Sequence, residues 1–120
     1  MGEADAHAKI AAALERLVPS AISTLKPGQG RLTVLLNEAG GIVDDLIVTR
    51  MPDASMQGML YIVVNGACKE NDWAIMGEAL ADVATLQRAD DRILIALQGP
   101  KAGEAIAPHF PEAADMTFMQ

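Results

Sequence analysis

The chain opens with a helical pattern. Over residues 6–18, Ile10, Leu14, Leu17 and Val18 recur at three- and four-residue intervals among alanines, which predicts an amphipathic helix that Pro19 closes. Pro27, Gly28 and Gly30 then mark a turn. Two β-branched, aliphatic runs follow, RLTVLLN at 31–37 and IVDDLIVT at 42–49, joined by Asn37-Glu38-Ala39-Gly40-Gly41. This is a hairpin signal, with the left-handed bend residue supplied by Gly40 or Gly41. A third run at 59–65 completes a possible meander. Residues 69–83 predict a second helix, with Trp73, Met76, Gly77 and Leu80 near one face and Glu70, Asp72, Glu78 and Asp82 turned to solvent. Asn71 and Asp72 fall in its first turn, where short polar side chains suit unpaired amides. A short strand at 93–97, a turn at 98–100 and a short helix at 101–107 complete the pattern, and residues 109–120 carry no evident stop. The expectation is an α+β fold, antiparallel strands with packed helices, in one domain over 1–120 without repeat or linker.

Composition narrows the function classes. The chain has 120 residues, 51% of them hydrophobic, enough for one modest core. Its formal net charge of -7 disfavours a broad nucleic-acid surface, and an aromatic content of 3% weakens any case for stacked bases. The lone Cys68 cannot form an internal disulfide, and His7 and His109 lie far apart, so no metal site is expected. The opening MGEADAHAKI lacks a basic stretch followed by a long apolar run, and no segment approaches the ~20 apolar residues that cross a bilayer. The expectation is a soluble, cytoplasmic chain with no membrane partner.

The feature hardest to explain as structure alone is Asp44-Asp45, set between Ile42-Val43 and Leu46-Ile47-Val48. Successive strand residues face opposite ways, so one carboxylate points into each layer and at least one meets apolar surroundings. A buried carboxylate needs hydrogen bonds or a partner, and that setting shifts its proton affinity toward acid/base use. The plainer alternative is a wet edge strand, or an ion pair with Arg31 or Arg50. Asn65, closing LYIVVN, can donate and accept at a heterocycle edge, or simply cap the turn before the next helix. The loop at 37–41 has neither GxGxxG nor GxxxxGK spacing and reads as a hairpin bend. Cys68 reads as a buried inert thiol.

Four blocks in order carry a resemblance: Gly28-Gln29-Gly30, LLNEAGGIVDDLIVTR at 35–50, YIVVNGACKENDWAIM at 61–76 and IALQGPKA at 95–102. They resemble the aminomethyltransferase family, the T-protein of the glycine cleavage system, and the chain looks like an internal part of that family's N-terminal folate-binding region. The resemblance implies transfer of a one-carbon unit from the aminomethyl group on the lipoyl arm of H-protein to tetrahydrofolate, with release of ammonia. It implies Asp45 as the catalytic acid at the folate, with Asp44 in reserve, and Asn65 in the folate pocket. Strand alternation adds Ile47 and Thr49 as a pocket wall on the Asp45 face. The family often carries an aromatic residue where this chain has Thr49, which reduces stacking there. Complete family members are much longer, so the isolated chain is expected to be poorly active. Related families on the same scaffold include a folate-dependent demethylase, and a non-catalytic folate-binding or protein-interaction module is the other class to distinguish.

Overall fold

The structure, a computed structural model, describes residues 3–120. They fall into two compact units, one ending at Leu86 and the other spanning Gln87–Gln120. In the first, the order is α1 (Glu3–Leu14), a 3₁₀ turn (Ile22–Thr24), β1 (Gly30–Leu36), β2 (Ile42–Arg50), a 3₁₀ turn (Ala54–Met56), β3 (Leu60–Val63) and α2 (Lys69–Leu80). The second holds α3 (Ala102–Ile106) and the 3₁₀ turn Pro111–Ala114.

The expected meander is present: β1 pairs antiparallel with β2, and β2 antiparallel with β3. The acidic pair therefore lies on the central strand, where no backbone edge is open to water. Gly40 makes the bend, at φ +78°, a backbone conformation that costs glycine little. Asn37 closes the loop, its side-chain oxygen accepting from the N–H groups of Ala39 (3.1 Å) and Gly41 (2.8 Å). The pairing register shifts between Leu35 and Leu36, which absorbs the odd residue of the connection.

Alternation along the strands sorts the sheet into two unlike faces. Thr33, Leu35, Asp44, Leu46 and Val48 are buried, and the core they face contains Ala11, Leu14, Val18, Ile22 and Leu25 from the N-terminal segment with Met76 and Leu80 from α2. Leu32, Asp45 and Tyr61 on the opposite face are exposed, Leu32 at 59%. Two arginines fasten the ends of elements. Arg16, just after α1, donates to the Ala79 carbonyl and to Asp82 Oδ1 at 3.1 Å, placing a cation at the C-terminal turn of α2. Arg50 donates to the Leu25 carbonyl (2.8 Å) and to Oε1 of the buried Gln57 (2.6 Å). His7 is buried, with Nε2 3.2 Å from the Ile22 carbonyl, and burial lowers its pKa, helped by the charge of Arg50 and opposed by that hydrogen bond.

Three expectations need correction. Both long helices stop early, α1 at Leu14 and α2 at Leu80, and the chain runs on through turns such as Leu17 N–H to the Leu14 carbonyl (2.8 Å) and Val83 N–H to the Leu80 carbonyl (3.0 Å). Asp72, expected at the solvent face of α2, is fully buried instead. The strand expected at 93–97 is not formed: Ile93, Leu94 and Ile95 are 75–85% exposed and pair with no strand among the described residues. An apolar run becomes a strand only when another strand takes its hydrogen bonds. The turn at 98–100, with Gly99 at φ +117°, and the helix after it form as expected.

The two-faced sheet makes a direct prediction for stability. Leu46→Ala removes a side chain that is 2% exposed and should cost about 2–5 kcal/mol. Leu32→Ala, on the open face, should change stability by less than about 1 kcal/mol. Urea unfolding of the two variants measures the contrast, and equal losses would contradict this assignment of faces.

Candidate functional site

The register brings the acidic pair to the end of β3. β2 and β3 pair Ile47 with Val63, so continuing past Val63 sets Asn65 across from Asp45. The Asn65 side-chain nitrogen donates to Asp44 Oδ1 at 2.8 Å, to Asp45 Oδ1 at 2.7 Å and to the Asp45 carbonyl at 3.1 Å. Its backbone N–H donates to Asp44 Oδ2 at 3.0 Å. One asparagine thus ties a carboxylate on the inner face to a carboxylate on the outer face. Its side-chain nitrogen is committed to these acceptors, which leaves the side-chain carbonyl pointing away from them to accept from a ligand.

Asp44 is 7% exposed. Burial alone would raise its pKa, but hydrogen bonds from the Asn65 side chain and backbone, then from Asp72 and Cys68, outweigh burial and hold the carboxyl well below the usual carboxylate range. Asp72, in the first turn of α2, is raised to about 6 by burial first and then by its hydrogen bond to Asp44 and the Asp44 charge. Cys68, just before α2, is pushed up by burial and by its own contact with Asp44. The thiol is therefore a donor to a carboxylate, the reverse of an activated nucleophile.

The predicted site residues separate into two groups. Asp45 is exposed on the open face, and Ile47 and Thr49 are half-buried on that face, as alternation requires. Around them the register sets Val34 opposite Asp45, Leu32 and Val63 opposite Ile47, and Tyr61 opposite Thr49. The ring of Tyr61 thus stands beside Thr49 on the open face. Asp44 is on the other face, in the core. Asn65 joins the two acids, and its side chain does not cap α2, which Cys68 precedes without a side-chain capping bond. Among the described residues neither acid has an ion pair with the two candidate arginines: Arg31 bonds to the Ala21 carbonyl and Thr24, and Arg50 to Leu25 and Gln57.

Sequence reasoning missed Asp72, and its signal was in view. Asp72 lies four residues before Met76 and eight before Leu80, both buried, so helical spacing places it on the inner face. Its charge class directed it outward in the reading of the pattern. Among the described residues no group of His, Cys, Asp and Glu has the arrangement of a metal site, and no helix is long and apolar enough to cross a membrane.

Comparison with known proteins places this geometry in a family. The model of the GCVT N-terminal domain matches residues 5–120. An aminomethyltransferase of Thermosynechococcus vestitus is 45% identical over 97 residues, covering 80% of this chain and 25% of the relative. The mitochondrial aminomethyltransferase of Homo sapiens is 41% identical over 98 residues, covering 78% of this chain and 23% of the relative. A crystal structure of glycine cleavage system aminomethyltransferase T from Bartonella henselae superposes with a TM-score of 0.70 at 30% identity, over 92% of this chain and 29% of that one. The chain belongs to the aminomethyltransferase family, as its GCVT N-terminal domain, and spans about a quarter of the length of these relatives. Its α+β architecture of antiparallel sheet and packed helices is the one that family uses.

The Asn65 bridge can be tested by its charge. Asn65→Ala leaves Asp44 Oδ1 without its donor and should cost about 1–3 kcal/mol. Asn65→Asp should cost more at neutral pH, since it adds a third carboxylate between two others, and its excess over Asn65→Ala should shrink toward pH ~4 as carboxyls take up protons. Urea unfolding across that range reads the difference, and an excess that does not change with pH would contradict the bridge.

Proposed function

We propose that this chain forms the tetrahydrofolate-facing wall of an aminomethyltransferase. The reaction passes the one-carbon unit of an aminomethyl group, carried on the lipoyl arm of H-protein, to tetrahydrofolate: the C–S bond to the lipoyl arm and the C–N bond to ammonia break, and two C–N bonds to folate form. The observation that supports this reading most directly is the Asp45 carboxylate held by Asn65 at 2.7 Å on an open sheet face where Leu32, Val34, Ile47 and Val63 surround it. The similar proteins of Thermosynechococcus vestitus and Homo sapiens are aminomethyltransferases, which agrees with it.

The residues present suit the ligand. A pterin is a flat heterocycle with adjacent N–H donors at its edge, and a carboxylate accepts such donors in pairs. Ile47, Val34 and Tyr61 would supply flat apolar contact, Asp45 would accept from the ring edge or the reacting nitrogens, and the Asn65 side-chain carbonyl would accept beside it. Near a folate nitrogen, Asp45 would receive the proton that the nitrogen loses as it bonds to carbon, and its charge would stabilise positive charge that develops as the C–S bond breaks.

A second reading, a folate-binding module without turnover, is favoured by one observation: among the described residues Asp45 is the only titratable carboxylate on this open strand face. One carboxylate binds and orients, while efficient transfer needs further groups around the reacting carbon.

Calorimetric titration of the chain with tetrahydrofolate, under anaerobic conditions and with Asp45→Asn in parallel, tests the proposal. Saturable one-to-one binding is expected, weakened about tenfold or more by the substitution, as loss of a charge-assisted hydrogen bond predicts. No binding by a cooperatively folded chain would overturn it. Ammonia release with lipoyl H-protein separates the two readings, and the chain alone is expected to release little.

A further inference from the structure

The buried acid Asp72 has no place in the proposed chemistry, yet it sits against Asp44, which shares Asn65 with Asp45. It is 0% exposed, and among the described residues neither of its carboxylate oxygens receives a hydrogen bond from an N–H or hydroxyl donor. With no backbone N–H on either oxygen, its carboxyl does not cap the helix, and its own N–H donates to the Cys68 carbonyl at 2.9 Å. The group it contacts is another carboxyl, that of Asp44. Two buried carboxylates in contact cannot both be ionised without a large penalty, and a carboxyl without donors is satisfied when it becomes one.

Asp44 is equipped to accept. An ionised carboxylate offers about four lone-pair sites. The Asn65 side-chain nitrogen and backbone N–H take two of them, at 2.8 and 3.0 Å, and the Cys68 thiol a third. A proton on Asp72 fills the remaining one. We propose that Asp72 is a positioning residue: protonated, it donates to Asp44 and completes the set of bonds that holds Asn65 in the orientation presenting the Asp45 carboxylate on the open face.

Among the described residues no cation contributes to the Asp72 shift. The groups that act on Asp72 are Asp44 from β2 and the apolar surroundings, and both favour the protonated form. Cys68 shares Asp44 with it and is itself held protonated. Arg16 is engaged with Ala79 and Asp82, Arg50 with Leu25 and Gln57, and His7 with Ile22, and Lys69, one turn before Asp72 on α2, is not among the groups that act on it.

The sign of the pH effect follows. Asp72 holds its proton in the folded chain at pH values where the unfolded chain has lost it, so this group stabilises the fold on the acid side and the contribution is lost as pH rises from about 4 toward about 6. Above that, two charges share the buried site and the hold on Asn65 loosens. In Asp72→Asn the amide donates to Asp44 at every pH.

Only the last link, from Asn65 to a folate bound at Asp45, rests on the function proposed above. The test therefore reads the network itself. In isotopically labelled full chain, the side-chain carboxyl carbons of Asp44 and Asp72 and the side-chain amide of Asn65 are followed by NMR from about pH 4 to about pH 8, a range above the ordinary carboxylate values. The Asp72 carboxyl is expected to titrate near 6, the Asn65 amide to shift with the same midpoint, and the Asn65 shift to flatten in Asp72→Asn. An Asp72 carboxyl that titrates below about pH 4.5, an unresponsive Asn65 amide, or an Asn65 titration that persists in Asp72→Asn would each overturn the assignment. The two wild-type signals decide the matter if the variant does not fold. A coupled Asp72–Asn65 titration in a chain that does not bind tetrahydrofolate would support the positioning role and sink the folate reading; folate binding with an unresponsive Asn65 would do the reverse.

Discussion

A carboxylate inside a sheet is tolerable only when its oxygens are given donors, and the first unit is organised around meeting that demand at Asp44. β3 ends where Asn65 can present both its backbone N–H and its side-chain amide to Asp44. The turn after it places Cys68 over the same carboxyl, and the first turn of α2 brings Asp72. A β2-to-β3 register different by two residues would keep every side chain on its face but carry Asn65 away from the acids and leave Asp44 buried without its bonds. The acid thus specifies the pairing of strands that the aliphatic residues around it would accept in more than one way.

The same arrangement leaves the other side of the sheet open. Helix α2 and the N-terminal segment bury one face with Leu35, Leu46 and Val48, and the opposite face keeps Leu32 and Tyr61 in water beside Asp45. A rigid, covered layer beneath a strand fixes the side chains above it better than a loop does. Adjacent residues of one strand have divided the work. Asp44 anchors and Asp45 is presented, and Asn65 couples them through bonds of 2.8 and 2.7 Å.

Much of this was legible in the residues. Alternation and the glycine-bearing connection gave the hairpin and its central strand, and the single break in the apolar pattern singled out the two acids that Asn65 joins. Alternation alone could not say which acid faces the core, because both neighbours of the pair are aliphatic; the packing of α2 decides it. Asp72 was misread because charge was allowed to overrule helical spacing. The run at 93–97 was misread for a different reason, since strand formation depends on a partner that no local pattern reveals.

Asp72 also bears on how the acidic pair resists collapse into a merely structural role. Had the helix supplied a lysine or arginine to Asp44, an ion pair would have satisfied the carboxylate, and a long cation would have competed with Asn65 for its oxygens. A protonated acid satisfies one lone pair with a short, neutral donor and leaves the others to Asn65 and Cys68. Net negative charge at the site is then retained on Asp44 and Asp45 without a buried cation to cancel it. That keeps the field on the open face negative, which is what a surface must offer if it is to stabilise positive charge on a reacting group.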